Sequence, residues 1–367
     1  MNISPVNHFN QITQSTWESL NQSQSTLLDW HFLNDLEIAG CVSEGAGWTP
    51  HHLLLGDNEG VLPSYLKTHS WGEFVFDWNW AEAYERYGVE YYPKLVTAIP
   101  FTPISSDKLV SQSLSQSSIV ESVITHCKSQ GIHSWHMLFC QPMDNTHPDL
   151  FERHTVQFHW FNRGYNSFDE FLLTFTARQR KNVRKERQSV VNQGIEIKHY
   201  RGNEVTPELL DYFFEAYQSS YHKREHQPHL NRGFFEFFIE HLPDKILLMM
   251  ASRDDEFVAS AFYIVDDNAL YGRYWGCREE VNNLHFELCY YQGIEYCITH
   301  NLAVFNPGAQ GEHKIKRGFE PVTTYSYHWI AHEGFRDAIG DYCKEEREQL
   351  AHYKEQCKSL LPFKQTP

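Results

Sequence analysis

Between Leu284 and His300 the chain puts a carboxylate where helical spacing calls for an apolar side chain. At about 100° per residue, Leu284, Leu288, Tyr291, Ile294 and Ile298 share one arc of a helix, and Glu287 falls inside it. A charge on a buried face is costly unless it is paired or neutralised, and burial strengthens a carboxylate as a proton acceptor. The spacing therefore makes Glu287 a candidate general base, with His285 two residues before it as a relay. Tyr291, four residues on, is a candidate to return a proton to a leaving group. The competing reading is a structural ion pair with Arg273 or Arg278 from the preceding strand and loop.

Two further stretches carry charge in a pattern that suits an anionic ligand. The run Arg178-Gln-Arg-Lys-Asn-Val-Arg-Lys-Glu-Arg187 stacks Arg180, Arg184 and Arg187 on one helix face, with Arg178, Lys181 and Lys185 beside them. Such a face holds the phosphates of a nucleotide, of coenzyme A or of RNA, although charge runs also serve as plain solvated surfaces. The stretch Gly308-Ala-Gln-Gly-Glu-His-Lys-Ile-Lys-Arg-Gly-Phe319 follows an expected strand that ends near Asn306. That is where open α/β sheets place ligands. Gly308 and Gly311 permit close backbone approach, and Lys314 and Lys316 share one side if the segment is extended. Arg273, on the strand before the Glu287 helix, joins the phosphate candidates.

Other chemistries find less support. His222, His226 and His229 fall near one another, but Pro228 breaks their helix, and no His-Glu-x-x-His occurs, so no metal is expected. There is no Gly-x-Ser-x-Gly elbow, Walker-type loop or Gly-x-Gly-x-x-Gly run, which argues against a serine hydrolase, a nucleotide hydrolase or a classical dehydrogenase. Eight cysteines without a Cys-x-x-Cys pair read as reduced, mostly buried thiols.

The elements that must position these residues alternate between helix and strand. In the first half, helices are expected over Ser25–Ala39 and Trp78–Tyr87 and up to Gly131, with strands at 51–55, 61–68, 73–76, 134–139 and 158–161. In the second half, Ser167 and Glu170 form a capping box that opens one long helix from Phe168 to Gln193, stopped by Gly194. Helices over Pro207–Tyr221 and Asn231–His241 lead into strands at 246–252, 257–265 and 270–276, followed by the Glu287 helix and a short strand at 303–306. A charged helix over Phe335–Lys358 closes the chain. Helix, meander-like strands, helix and strand recur in both halves. This predicts an α/β (α+β) protein with a mixed sheet in each half of a duplication.

Length and composition agree with two domains. The 367 residues exceed what one core usually organises, and 41% hydrophobic with 15% aromatic residues are enough for two. The expected division is a polar lead-in over 1–24, domains over 25–160 and 161–334, and a charged C-terminal helix over 335–367. A net charge of −16 argues against coating nucleic acid by bulk charge. The N-terminus lacks a secretory pattern and no run approaches the ~20 apolar residues of a membrane span, so a cytoplasmic protein without membrane insertion is expected.

The segment Gly311-Glu-His-Lys-Ile-Lys-Arg-Gly-Phe319 resembles the closing motif of the Fem-type peptidyltransferases. More broadly, the chain from about Leu28 to Ile330 is similar to the FemAB-related peptidoglycan biosynthesis/recognition proteins of the acetyltransferase (GNAT) superfamily. The similarity is carried by Gly47–Leu55, Phe76–Arg86, Tyr91–Pro103, Phe158–Tyr165, the basic run and Gly308–Phe319. It implies two tandem GNAT-like domains of Fem-type architecture and transfer of an acyl or aminoacyl group to an amine. In the Fem-type enzymes the donor is aminoacyl-tRNA, the acceptor is a nucleotide-linked cell-wall peptide, and the motif lysine corresponds to Lys316. Acyl-CoA-dependent relatives carry Arg/Gln-x-x-Gly-x-Gly/Ala before a helix whose amides hold the pyrophosphate. Here Arg273-Tyr-Trp-Gly-Cys-Arg278 fits only in part, which argues against coenzyme A bound in that manner.

The resulting expectation is an N-acyltransferase in which Glu287 takes a proton from a small-molecule or peptide amine, Lys316 steadies the developing negative charge, and Arg180, Lys181 and Arg184 hold phosphate. The donor is acyl-CoA or aminoacyl-tRNA, with tRNA then a partner. A recognition protein that binds a cell-wall precursor or RNA without turnover is the alternative from another class.

Overall fold

The computed structural model describes residues 1–23, 25–143, 147–309 and 311–364. In chain order the first half holds β1 (Ile3–Val6), α1 (Gln14–Leu20), α2 (Trp30–Ile38), β2 (Trp48–Pro50), β3 (His52–Leu55), β4 (Gly60–Leu62), β5 (Ser64–Lys67) and α3 (Trp78–Arg86). It continues with β6 (Lys94–Thr97), β7 (Val110–Ser111), α4 (Gln116–Gln130), β8 (Ser134–Cys140) and β9 (Leu150–Phe161). Then come α5 (Phe168–Leu173), α6 (Ala177–Asn192), β10 (Glu196–Arg201), α7 (Pro207–His222), α8 (Arg232–His241), β11 (Ile246–Arg253), β12 (Glu256–Val265) and β13 (Ala269–Cys277). The chain ends with α9 (Leu284–Phe286), a π-helix (Glu287–Tyr291), α10 (Gln292–Thr299), β14 (Val304–Asn306), β15 (Glu320–Ile330) and α11 (Glu333–Ser359). No helix among the described residues is long and apolar enough to cross a membrane.

These elements form two compact units, Met1–Val156 with Thr323–His352, and Gln157–Val322 with Tyr353–Pro367. Residues 1–23 pack into the first unit rather than standing apart as a lead-in: β1 pairs with β3, and Phe9, Ile12 and Trp17 are buried. Both units use one plan. In the first, β2, β5 and β6 run antiparallel and β8 then lies parallel to β6, with α4 between them in sequence. In the second, β11, β12 and β13 run antiparallel and β14 lies parallel to β13, with α9 and α10 between. A parallel pair needs such a crossover, whereas the antiparallel strands need only tight turns.

Each unit has its own core. In the first, Val120, Val123 and Ile124 of α4 pack on Leu95, Trp135, Met137 and Trp329. In the second, the rings of Phe213, Phe235 and Phe262 meet at 5.0–5.4 Å between centroids. Gly276 lets α7 lie against β13, since a Cβ there would stand 2.0 Å from the carbonyl oxygen of Ala216.

Three expectations need correction. The single helix over Phe168–Gln193 is divided at residues 174–176. There the C-terminal segment pairs with the chain: Thr176 N–H donates to Pro362 O, and Lys364 N–H donates to Thr174 O, each at 2.8 Å. The expected strand at 73–76 is a bent segment, with Gly72 and Phe74 at positive φ. The strand β15, rich in Thr and Tyr, was not anticipated.

Candidate active site

The helix that carries Glu287 widens into a π-turn from Glu287 to Tyr291, a feature that often marks functional positions. Glu287 is 4% exposed, as its place on the apolar arc predicts. Its partner is neither Arg273 nor Arg278 but Arg187 of α6. Arg187 Nη2 lies 2.9 Å from Glu287 Oε1 and 2.7 Å from Glu295 Oε2, and Gln292 Nε2 donates to Glu287 Oε1 at 2.8 Å. The guanidinium also lies 4.5 Å over the ring of Phe168. These groups wall a hollow of about 690 Å³ lined by Phe168, Arg184, Arg187, Glu287, Gln292 and Glu295.

Tyr291 turns elsewhere. Its hydroxyl donates to Glu186, whose carboxylate also receives Arg317 at 2.9 and 3.0 Å. Arg317 stacks 3.5 Å from the ring centre of Phe286 and donates to His313 O at 2.7 Å. Burial pushes the Tyr291 phenol well above its ordinary range. This cluster locks the segment after β14 onto α6 and the π-turn.

A third group gathers where β13 and β14 part. Their parallel register runs from Ala269↔Val304 to Tyr271↔Asn306 and ends there, while β13 continues to Cys277. Beyond it lies a small hollow of about 100 Å³, lined by Arg273, Trp275, His285, Cys289, Tyr290 and Pro307. Burial, with the positive charges of Lys314 and Arg317 nearby, pushes His285 down to about 4, so its imidazole is neutral at neutral pH. The Tyr290 hydroxyl meets His313 Nε2 at 2.7 Å.

Lys314 is 2% exposed and donates to Gly308 O at 2.7 Å and Ala309 O at 3.4 Å. Burial pulls its ammonium down to about 7, against an opposing influence from Cys289. Gly308, at φ +87°, and Gly311, at φ +104°, adopt backbone conformations that favour glycine.

The segment Glu312–Arg317 is a 3₁₀ turn rather than extended chain. With three residues per turn, Lys314 and Lys316 point to different sides: Lys314 is buried and Lys316 is exposed. Glu287 and Lys316 therefore do not meet beside one hollow. Glu287 lines the larger hollow and His285 the smaller, and Lys316 lines neither.

In the basic run, Arg184 is paired with Asp169 at 2.8 Å and Arg180 donates to Phe175 O at 3.3 Å. Arg178, Lys181 and Lys185 are exposed at spacings of three and four residues, so they form a positive ridge along one side of α6.

The sequence matches the FemAB-like family model, described as peptidoglycan biosynthesis/recognition, over residues 8–365. The chain belongs to the FemAB-like family. No curated protein matches it by sequence. Among solved structures, a conserved protein of unknown function from Bacteroides thetaiotaomicron is similar at 9% identity and TM-score 0.51, over 90% of this chain and all of that one. FemX is similar at 12% identity and TM-score 0.50, over 93% and 100%. A tandem GNAT protein from the clavulanic acid biosynthesis pathway covers 90% and 98% at 11% identity and TM-score 0.46. The fold of this FemAB-like chain is thus similar to that of FemX, with two units built on one mixed-sheet plan.

Several groups of the candidate site escaped sequence reading. Arg187 was visible in the basic run, but nothing local tied it to a carboxylate one hundred residues later. His313 and Tyr290 were legible only as members of polar and apolar patterns. The clue to Cys289 and Tyr290 is their place on the π-turn, which helical spacing at a constant angle does not register.

Proposed function

We propose that this protein is an N-acyltransferase that moves an aminoacyl group from an RNA ester to an amine of a peptidoglycan precursor. The observation that carries the reading is the parting of β13 and β14 beyond Tyr271 and Asn306, with His285, Tyr290 and the buried Lys314 amine gathered around the opening. A reacting carbonyl bound there would have a neutral imidazole on one side and a cationic amine close by. The acceptor amine adds to the carbonyl carbon, His285 takes its proton, and Lys314 steadies the oxyanion. Collapse expels the ribose oxygen, which takes the proton back from His285, leaving an amide and a free RNA end. Tyr290 and His313 position this pair through their mutual hydrogen bond.

An RNA donor is favoured over acyl-CoA on two grounds. The Arg178–Lys181–Lys185 ridge suits a phosphate backbone. Arg278, at the end of the partial coenzyme A pattern, is committed to Glu215. The family description points to cell-wall chemistry, and a cytoplasmic setting would supply such donors and acceptors. The committed ion pair at Glu287 fits a positioning role for it better than that of proton acceptor.

The test is turnover with aminoacyl-tRNA and with acetyl-coenzyme A as donors and a nucleotide-linked cell-wall peptide as acceptor, with products read by mass spectrometry. Product from the RNA donor, reduced by about 10²–10⁴ in His285→Ala, is expected. Product from acetyl-coenzyme A alone would replace the donor. Tight binding of the precursor without product from either would leave a recognition protein.

A further inference from the structure

The second strand layer of the first unit carries charge where a core is expected. Across β2, β5 and β6, Trp48, Lys67 and Lys94 stand directly opposite one another. The same face continues on β8 with His136, whose Nδ1 lies 2.7 Å from that of His328. The other face of these strands is the apolar side packed on α4. Two like charges directly opposite each other repel, and buried ones need compensation.

Compensation comes from the segment between β5 and α3, and it is incomplete. Lys94 Nζ donates to Ser70 Oγ and Glu73 Oε2, each at 2.8 Å, and to Asp77 Oδ2, so its three protons are used. The Tyr91 hydroxyl donates to the same Asp77 oxygen at 2.6 Å. Glu73 Oε1 and Asp77 Oδ1, by contrast, are buried with no hydrogen-bond partner. Lys67, fully buried, donates to Trp71 O at 3.2 Å and sits 3.9 Å over the ring of Trp48. Among the described residues no carboxylate lies within ion-pair distance of it. Buried acceptors are nearly always satisfied, so two orphans in one cluster call for an occupant.

We infer that this cluster is a binding site for the zwitterionic α-amino acid group, its ammonium on Glu73 Oε1 and Asp77 Oδ1 and its carboxylate on Lys67. A phosphate would meet the two carboxylates, and a simple amine would leave Lys67 unpaired; a group bearing both charges satisfies all three. The segment 70–77 covers the cluster and turns Ser70, Glu73 and Asp77 inward. Its outer side is built of rings: Trp71 is 51%, Phe76 52% and Trp78 38% exposed, and the rings of Trp71 and Trp78 meet at 5.1 Å between centroids, tilted by 57°. Gly72, at φ +81°, is the bend, where a Cβ would stand 2.7 Å from the Phe101 ring.

The experiment titrates the full-length protein with glycine, glycinamide and N-acetylglycine, read by calorimetry and tryptophan fluorescence. Glycine is expected to bind, and each blocked form to bind at least about tenfold more weakly. Lys67→Met should weaken glycine while leaving glycinamide unchanged, and Glu73→Gln should weaken glycine while leaving N-acetylglycine unchanged. Equal responses to all three probes, or no response to glycine, overturn the site and leave only buried water. Should either variant fail to fold, the probe series on the unaltered protein decides. No donor or turnover is involved, so the result is independent of the acyl-transfer reading.

Discussion

The two units share a strand plan, and Lys94 of the first and Lys314 of the second are buried in opposite ways. In the first unit, Lys94 is enclosed by two carboxylates, a serine and the ring of a tyrosine, and burial raises Glu73 to about 7 while Asp77 is held at about 2 by Lys94 despite its burial. In the second, Lys314 faces backbone carbonyls, neutral imidazoles and a thiol, with no carboxylate among its hydrogen-bond partners. A lysine neutralised by fixed carboxylates holds its proton and serves structure or ligand recognition. One left on carbonyl oxygens sits near its protonation midpoint at neutral pH and can respond to charge that develops beside it.

The sharpest way to break this contrast is to remove each amine. Lys94→Met leaves two carboxylates buried beside each other and is expected to cost about 3–5 kcal/mol in urea-induced unfolding. Lys314→Met strands only carbonyl oxygens and roughly keeps side-chain volume, so its stability cost is expected to stay below about 1.5 kcal/mol. Its cost falls on turnover instead, about 10²–10³-fold if the ammonium steadies the oxyanion. A severely unfolded Lys314→Met, or a fully active one, erases the distinction.

The pH profile sharpens it. His285 must be neutral to accept a proton, and it loses that ability as pH falls through about 4. Lys314 must be charged to steady an oxyanion, and it loses its proton as pH rises through about 7. The expected kcat/KM profile is a bell between these limits. Lys314→Met should abolish the alkaline limb while leaving the acid limb in place. An unchanged alkaline limb would assign it to another group.

Glu287 yields a smaller effect. Glu287→Gln keeps the shape and loses the charge that holds Arg187 and, through it, the wall of the larger hollow. A stability loss of about 1–3 kcal/mol and turnover within about tenfold of the parent are expected. A turnover loss of about 10³-fold with the fold intact would restore Glu287 as the proton acceptor.

How much of this was readable from sequence follows from the range of the forces involved. The burial of Glu287 was legible, because apolar spacing along one helix is local. Its partner was not, since Arg187 and Glu287 meet through tertiary packing. Lys314 and Lys316 were recognised as a pair, but which one points inward depends on a 3₁₀ turn that the glycines on either side permit without dictating. The break at residues 174–176 is imposed by backbone hydrogen bonds from residues 362 and 364, which no propensity near the break announces. The Lys67–Lys94 layer was hidden for a similar reason. Its inward carboxylates come from a bent segment whose residues 73–76, taken alone, read as a strand.

The smallest expected effect tests whether the exposed ridge on α6 differs from the paired arginines beside it. Arg184 and Arg187 already have acidic partners at 2.7–2.9 Å, so a phosphate must compete with them. Among the described residues Arg178, Lys181 and Lys185 have no such competition, and each contact that releases a counterion adds to the salt dependence of RNA binding. Lys181→Ala should therefore weaken aminoacyl-tRNA only a few-fold at physiological salt while reducing the slope of log affinity against log salt by roughly one. Arg184→Ala should leave that slope unchanged. Identical slopes in the two variants would mean that the backbone passes over neither group, and the donor would then have to be held from another side of the second unit.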